Sequence, residues 1–245
     1  MVDVSSPNDV QALAKEGVCV AFSALPSEEA RRLEPMWVKA GITVFSNASA
    51  FRRQDGVPFV IPEINPRALV EQSAGPLRHA CATNCTLLPL ILPLAALNEA
   101  YGLEGYSMRS EQGLSGGGQA YMEAALAEGK VKPTIPGEAE KTEAELRHLL
   151  GWHGEATLDC GRIMRRDGHH VFVEATFAGS MDEAGVEQVL SAWSHDRRMS
   201  HLPSAPHQPL MLAPTIDVKA HLFLSLIHIS EPTRPRLISY AVFCL

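Results

Sequence analysis

Val18-Cys19-Val20-Ala21-Phe22-Ser23-Ala24-Leu25-Pro26-Ser27-Glu28-Glu29 passes from an apolar, β-branched run through a small polar loop into a helical segment. Val18 to Phe22 reads as a buried strand, and Ser27 to Ala40 as a helix capped by Ser27, with Glu28 and Glu29 at the positive end of its dipole. Ile42 to Phe45 then reads as a second strand, the loop Ser46-Asn47-Ala48-Ser49 follows, and Val57 to Ile61 is a further strand candidate. Strands alternating with helices predict a parallel α/β sheet, with both polar loops on its C-terminal edge, where open α/β folds bind ligands.

A dinucleotide-binding sheet of this kind normally opens on a glycine-rich turn that seats a pyrophosphate at a helix N-terminus. Residues 1 to 17 hold only Gly17, and Val2-Asp3-Val4 reads as a strand cut short by the first methionine. The expectation is therefore an incomplete Rossmann-like domain over 1–84.

At the end of that domain a β-like run, Arg78 to Thr83, meets a helical one, Leu87 to Ala100, and Asn84-Cys85-Thr86 stands at the junction. A thiol at the start of a helix faces unpaired N–H groups that favour a thiolate and can hold an oxyanion, so Cys85 is a candidate nucleophile. The competing reading is a small buried filler, the usual fate of a free cysteine.

Beyond residue 85 the pattern changes. Tyr106 to Gln112 reads as a strand entering the loop Ser115-Gly116-Gly117-Gly118, with helices over Ala120 to Glu128 and Gly137 to Leu150. Thr157 to Met164 and His170 to Phe177 read as strands joined by Arg165-Arg166-Asp167-Gly168, whose Asp-Gly is a hairpin signal. A helix over Asp182 to Ala192 completes an α+β catalytic or dimerisation domain, 85–222, with an irregular proline-rich segment from Pro203 to Pro214. The last residues, 226–245, resemble strings produced when sequencing-adapter DNA is translated at the end of an assembled contig, and are expected to be a non-native tail.

Composition narrows the function. The 245 residues are 46% hydrophobic and 20% charged, with net charge −7 and pI near 5.8. That acidic balance argues against a nucleic-acid or anionic-membrane partner. Five cysteines without a framework spacing, and no signal peptide, favour a reducing, cytoplasmic setting. No second Cys or His pair completes a metal site around Cys81 and Cys85, so no metal is expected. No apolar run reaches the ~18 residues of a membrane span.

The segments Phe22 to Ser27, Ser46 to Arg52, Val60 to Pro66, Asn84-Cys85-Thr86, Gln112 to Gly118, Glu138-x-x-Lys141 and Arg162 followed by His169 resemble, in order, the motifs of aspartate-semialdehyde dehydrogenase, its archaeal and fungal branch fitting best. The resemblance implies NADPH-dependent conversion of L-aspartyl 4-phosphate to L-aspartate 4-semialdehyde, on the route to lysine, threonine and methionine, by a homodimer or homotetramer. It assigns Cys85 as nucleophile, His169 as acid/base, and Gln112 with the Cys85 N–H as the groups that orient substrate and hold the oxyanion. Arg162 would take the α-carboxylate and Glu138 the ammonium; Lys141 with Arg52 would take phosphate, and Asn84 would also touch substrate. Ser23, Ala24, Leu25, Pro26, Ser27, Asn47, Ser115, Gly116 and Gly117 would line NADP.

From pattern alone His169 and His170 are indistinguishable, and Glu138 with Lys141 is a pair any exposed helix carries. Two departures stand out. Ala82-Thr83 precedes Asn84 where the family commonly has Asn-Pro, and neither the glycine-rich phosphate loop nor the family's returning C-terminal segment is found in the sequence. The chain is accordingly expected to be an internal fragment with little turnover of its own. Malonyl-CoA reductase, close in sequence, and a non-catalytic scaffold are the competing readings.

Overall fold

A computed structural model describes residues 5–71, 76–193, 210–212, 226–230 and 237–243. The chain divides into two compact units, Met1–Asn84 and Cys85–Leu245.

The first unit runs α1 (Pro7–Lys15), β1 (Val20–Ser23), α2 (Ser27–Lys39), β2 (Thr43–Ser46), α3 (Ala68–Glu71) and β3 (His79–Cys81). The three strands pair in parallel in the order β1-β2-β3, with Phe22 opposite Phe45 and Phe45 opposite Ala80. Helix α1 starts where Ser6 caps Asp9 and Pro7 supplies a φ already suited to a first turn. The strand candidate Val2-Asp3-Val4 lies outside the described residues.

Three expectations fail here for physical reasons. Among the described residues β1 is at the edge of the sheet, and Val20 and Phe22 are 43% and 85% exposed, not buried. Ser27 does not cap α2: Pro26 occupies that position without a side-chain bond, and the Ser27 hydroxyl meets Ser49 Oγ at 2.8 Å. Val57 to Ile61 is no strand. Pro58 lies within it and Pro62 follows it, each lacking the N–H a ladder needs, and a single bridge from Phe59 to Cys81 forms.

The second unit runs α4 (Leu87–Tyr101), β4 (Leu103–Gln112), α5 (Gln119–Glu128), α6 (Glu138–Leu150), β5 (Glu155–Arg162), β6 (His169–Phe177), α7 (Glu183–Ala192), β7 (Met211–Leu212), β8 (Leu226–Ser230) and β9 (Leu237–Phe243). Helix α4 is apolar all round and buried from Leu87 to Leu97, as a helix enclosed by its neighbours must be. Alternate residues of the strands, Tyr106, Met108, Val171, Val173 and Ala175, supply the buried face of the sheet.

The sheet order is β5-β4-β6-β9-β8-β7. Strands β5 and β6 therefore do not form the hairpin that Asp167-Gly168 suggested: β4 lies between them, parallel to β5 and antiparallel to β6. The local signal is real, since Gly168 has φ +85°, but the loop straddles the end of β4. Backbone N–H groups of Gly113, Leu114 and Ser115 donate to the carbonyls of Gly168, Arg165 and Arg166 at 2.7–2.9 Å, so this loop closes over the glycine segment. A long-range partner has displaced the local pairing.

The segment expected to be a non-native tail contributes β8 and β9, and β9 pairs with β6 from His169 to Ala175. Most of the proline-rich segment lies outside the described residues. Among the described residues no helix is long and apolar enough to cross a membrane.

Candidate active site

One rung of the sheet collects three of the expected residues. Gln112, the last residue of β4, is aligned with Arg162 on β5 and with His169 on β6. Residues that are partners across adjacent strands point to the same face, so this register presents an amide, a guanidinium and an imidazole side by side. All three are at most 8% exposed.

Cys85 completes the group. Its Sγ lies 3.0 Å from Nε2 of His169, across 84 residues of chain. His170, on the opposite pleat, instead meets the Arg165 guanidinium at 3.1 Å. The geometry thus separates two histidines that composition and spacing could not.

The electrostatics differ from the expected thiolate. Burial raises the Cys85 thiol above its ordinary value, the Glu138 carboxylate adds to this, and Lys141, a backbone N–H and Thr86 oppose it less strongly. Cys85 also precedes Thr86, the cap of α4, and so stands outside the first turn. Burial likewise lowers the His169 imidazole; a backbone hydrogen bond at Gly168 opposes this, and the Arg162 and Arg165 charges reinforce it. Both shifts favour a neutral thiol beside a neutral imidazole. Such a pair generates its nucleophile by proton transfer during attack, with His169 as base.

Arg162 is held by the loop it faces. Its Nη1 donates to the Gly113 carbonyl at 2.8 Å, and its guanidinium lies 5.1 Å over the Tyr121 ring. Gly116 explains the glycine run: a Cβ there would stand 3.2 Å from Arg162 Nη1 and 3.3 Å from His169 Cε1. At Gly117 it would stand 2.5 Å from Tyr121. Ser115 belongs to the same tight turn, Leu114–Gly117.

Glu138 and Lys141 are paired with each other at 3.0 Å. Glu138 also accepts from the buried Thr86 hydroxyl at 3.0 Å, and Thr86 in turn accepts from Gln112 Nε2 at 2.9 Å. Among the described residues no group of three His, Cys, Asp or Glu side chains is arranged to hold a metal ion.

In the first unit, Arg52 is 5% exposed and braces main chain, Nε to the Ala82 carbonyl at 2.9 Å and Nη2 to that of Asn47 at 2.7 Å. Asn84, 6% exposed, directly precedes Cys85. The expected cofactor loops lie at the C-terminal ends of β1 and β2 beside a cavity of about 340 Å³, lined among others by Phe22, Ser23, Ala24, Asn47 and Pro62. Of the remaining loop residues, Leu25 and Pro26 lead into α2.

The Ser23 hydroxyl is engaged by a buried carboxylate. It donates to Glu34 Oε1 at 2.6 Å, Ser46 donates to the same oxygen at 2.7 Å, and His79 meets Oε2 at 2.9 Å. Sequence reasoning missed Glu34, His79 and Thr86. Glu34 did leave a trace, as a carboxylate on the face of α2 that carries Ala30 and Leu33, a position where a charge must find buried partners.

The chain is similar to known proteins in sequence and in fold. Residues 3–72 match the family model described as semialdehyde dehydrogenase, NAD binding domain. Aspartate-semialdehyde dehydrogenases of Archaeoglobus fulgidus and Methanothermobacter thermautotrophicus are both 34% identical to this chain, over 79% and 80% of it. The chain spans only 59% and 60% of their lengths. A malonyl CoA reductase (NADP) of Metallosphaera sedula is more distant, at 25% over 85% of the chain and 63% of its own length.

Among solved structures, aspartate semialdehyde dehydrogenase with NADP from Candida albicans superposes with a TM-score of 0.76 at 23% identity, covering 91% of this chain and 71% of that one. The Vibrio cholerae enzyme II complexed with ASA gives 0.75 at 18%, covering 92% and 74%. At these identities the structures speak to fold. The sequence matches make the chain similar to aspartate-semialdehyde dehydrogenases over most of its length, and the solved structures share its fold.

Proposed function

We propose that the protein to which this chain belongs reduces L-aspartyl 4-phosphate to L-aspartate 4-semialdehyde with NADPH, releasing phosphate, through a thioacyl intermediate on Cys85. The observation that carries the reading is the 3.0 Å contact between Cys85 Sγ and His169 Nε2, beside Gln112 and Arg162 on one sheet rung. The names of the relatives supply the substrate.

The chemistry follows from the protonation states. Neutral His169 takes the thiol proton as sulfur attacks the acyl carbon, and expulsion of phosphate leaves a thioester. Bound NADPH supplies the hydride that reduces it. His169 returns the proton to the resulting oxygen and removes it again as the C–S bond breaks, which releases the aldehyde and restores the thiol.

Arg162 offers a planar fork for the α-carboxylate, and the Glu138–Lys141 pair offers opposite charges for the ammonium and the phosphate. Arg52 and Asn84 are assigned to substrate on the family resemblance. The cavity at the end of β1 and β2, lined by Ser23, Ala24 and Asn47 among others, fits a flat apolar ring; Leu25 to Ser27 are assigned to the cofactor on the family resemblance, and Ser115 to Gly117 allow close approach of a ligand to backbone. We further infer, from the family alone, that the whole protein is a homodimer or homotetramer acting in the cytoplasm.

The test is an assay of the protein expressed from its complete reading frame. Phosphate- and NADP⁺-dependent oxidation of L-aspartate 4-semialdehyde is expected. Turnover of malonyl-CoA in its place would assign the more distant relative's reaction. Absence of both would leave the scaffold reading.

A further inference from the structure

Gln112 makes two side-chain hydrogen bonds among the described residues, and both use its nitrogen: Nε2 donates to Thr86 Oγ1 at 2.9 Å and to Ser110 Oγ at 3.3 Å. An amide reversed by half a turn would occupy nearly the same space, so something must select this orientation. Thr86 does so by proton counting. A hydroxyl has one proton and two lone pairs. The Thr86 proton goes to Glu138 Oε1 at 3.0 Å, and Glu138 is held in place as an acceptor by Lys141 on its other oxygen, also at 3.0 Å. What Thr86 still offers Gln112 is a lone pair, which only a donor can satisfy. Thr86 is fully buried, so no solvent competes for that lone pair.

We propose that Thr86 is a positioning residue: its hydroxyl, polarised by the Glu138–Lys141 pair, locks the Gln112 amide with its nitrogen on Thr86 and Ser110, leaving the carbonyl oxygen as the group Gln112 offers a ligand. The consequence for the site is specific. Both amide protons are committed, so Gln112 meets substrate as an acceptor of hydrogen bonds. It does not donate to the tetrahedral oxygen. That oxygen depends on His169 and backbone N–H groups. The inference deepens the proposed function and rests on it for the identity of the ligand, while the network itself stands on geometry.

The relay also ties electrostatics to architecture. Lys141 and Glu138 on α6, Thr86 at the start of α4 and Gln112 at the end of β4 form one continuous chain of hydrogen bonds, charge-assisted at its Glu138 end. The Glu138 carboxylate that accepts the Thr86 proton is among the influences that raise the neighbouring Cys85 thiol. A change at this hydroxyl is therefore readable at the sulfur without any cofactor.

The experiment compares the parent chain with Thr86→Val, which exchanges the hydroxyl for a methyl of similar size, and Thr86→Ser, which keeps it. Two quantities are followed: hydrogen exchange of the Gln112 side-chain amide by NMR, and the pH dependence of iodoacetamide alkylation at Cys85. In Thr86→Val the Gln112 amide protons should exchange at least about tenfold faster, the loss expected for one buried hydrogen bond, and the alkylation midpoint should move to higher pH. Thr86→Ser should match the parent in both. Unchanged amide protection in Thr86→Val overturns the proposal. So does a Thr86→Ser variant that falls with it, because the lost element is then the methyl group. Retained turnover after Cys85→Ser in the complete protein would instead refute the proposed function, leaving the Thr86 result to stand by itself.

Discussion

Nε2 of His169 and Sγ of Cys85 lie 3.0 Å apart although 84 residues separate them in the chain. The contact exists because β6 pairs with β4, and not with β5. Had Asp167-Gly168 closed an ordinary hairpin between β5 and β6, His169 would have faced a different rung. Burial keeps the pair neutral, which sets the pH behaviour of the site.

Alkylation of Cys85 in the ligand-free chain should report that neutrality. The thiol is raised above 9.0, so the iodoacetamide rate should climb through pH 9 and continue to rise beyond it. A plateau at neutral pH would show a thiolate–imidazolium pair and contradict the assignment of both protonation states.

Stability should carry the mark of His169. Its folded pKa lies below 6.5, so its contribution is fully present above 6.5 and is lost as pH falls through the lower folded value. Chemical denaturation of the parent and of His169→Gln at pH 7 and again near pH 5 tests this. The parent should lose more stability on acidification than the variant. Equal losses would mean that burial does not hold the imidazole neutral.

Gly116→Ala separates packing from folding. The added methyl must displace Arg162 Nη1 or His169 Cε1 by a few tenths of an ångström from contacts of 3.2 and 3.3 Å. Misplacement of reacting groups by as little as about 1 Å can cost on the order of 10²-fold in rate. Turnover of the complete protein should fall at least about tenfold with the thermal midpoint nearly unchanged. Full activity would show that the glycine serves some other purpose.

Glu34 supports a prediction about the first unit alone. Glu34→Ala strands the donors of Ser23, Ser46 and His79 in a buried site, so urea denaturation should show a loss of about 3–5 kcal/mol. Ser46→Ala removes one donor and should cost about 1 kcal/mol. A loss below 1 kcal/mol for Glu34→Ala would mean the carboxylate is not the centre of that cluster.

Much of this was legible in the sequence where chemistry and periodicity are local. The strand–loop–helix order from Val20 to Lys39, the apolar helix after Cys85 and the helix over Glu138–Leu150 follow from residue pattern within a few positions. What failed depended on partners far along the chain. Phe22 looks buried in a five-residue window because nothing local says that β1 is at the edge of the sheet among the described residues. Asp167-Gly168 specifies a turn, and only the sheet determines which strand lies beneath it.

The site divides the same way. Cys85, Gln112, Arg162 and His169 were recognisable as motif residues, yet the meeting of the last three on one rung is a fact of register, and it brings His169 to the Cys85 sulfur. The Ser23 hydroxyl serves Glu34, whose importance shows only once helix α2 lies against the ends of β1 and β2. Thr86 went unnoticed beside a more reactive neighbour. Its role appears only when the single proton of its hydroxyl is followed to Glu138.

The central claim, that Cys85 forms the covalent intermediate, is tested most directly by Cys85→Ser in the protein expressed from its complete reading frame, assayed for phosphate-dependent reduction of NADP⁺ by L-aspartate 4-semialdehyde. The proposed mechanism predicts that turnover falls by several orders of magnitude while the protein remains folded, because a serine hydroxyl beside the same imidazole is a far weaker nucleophile. Turnover close to that of the parent would contradict it.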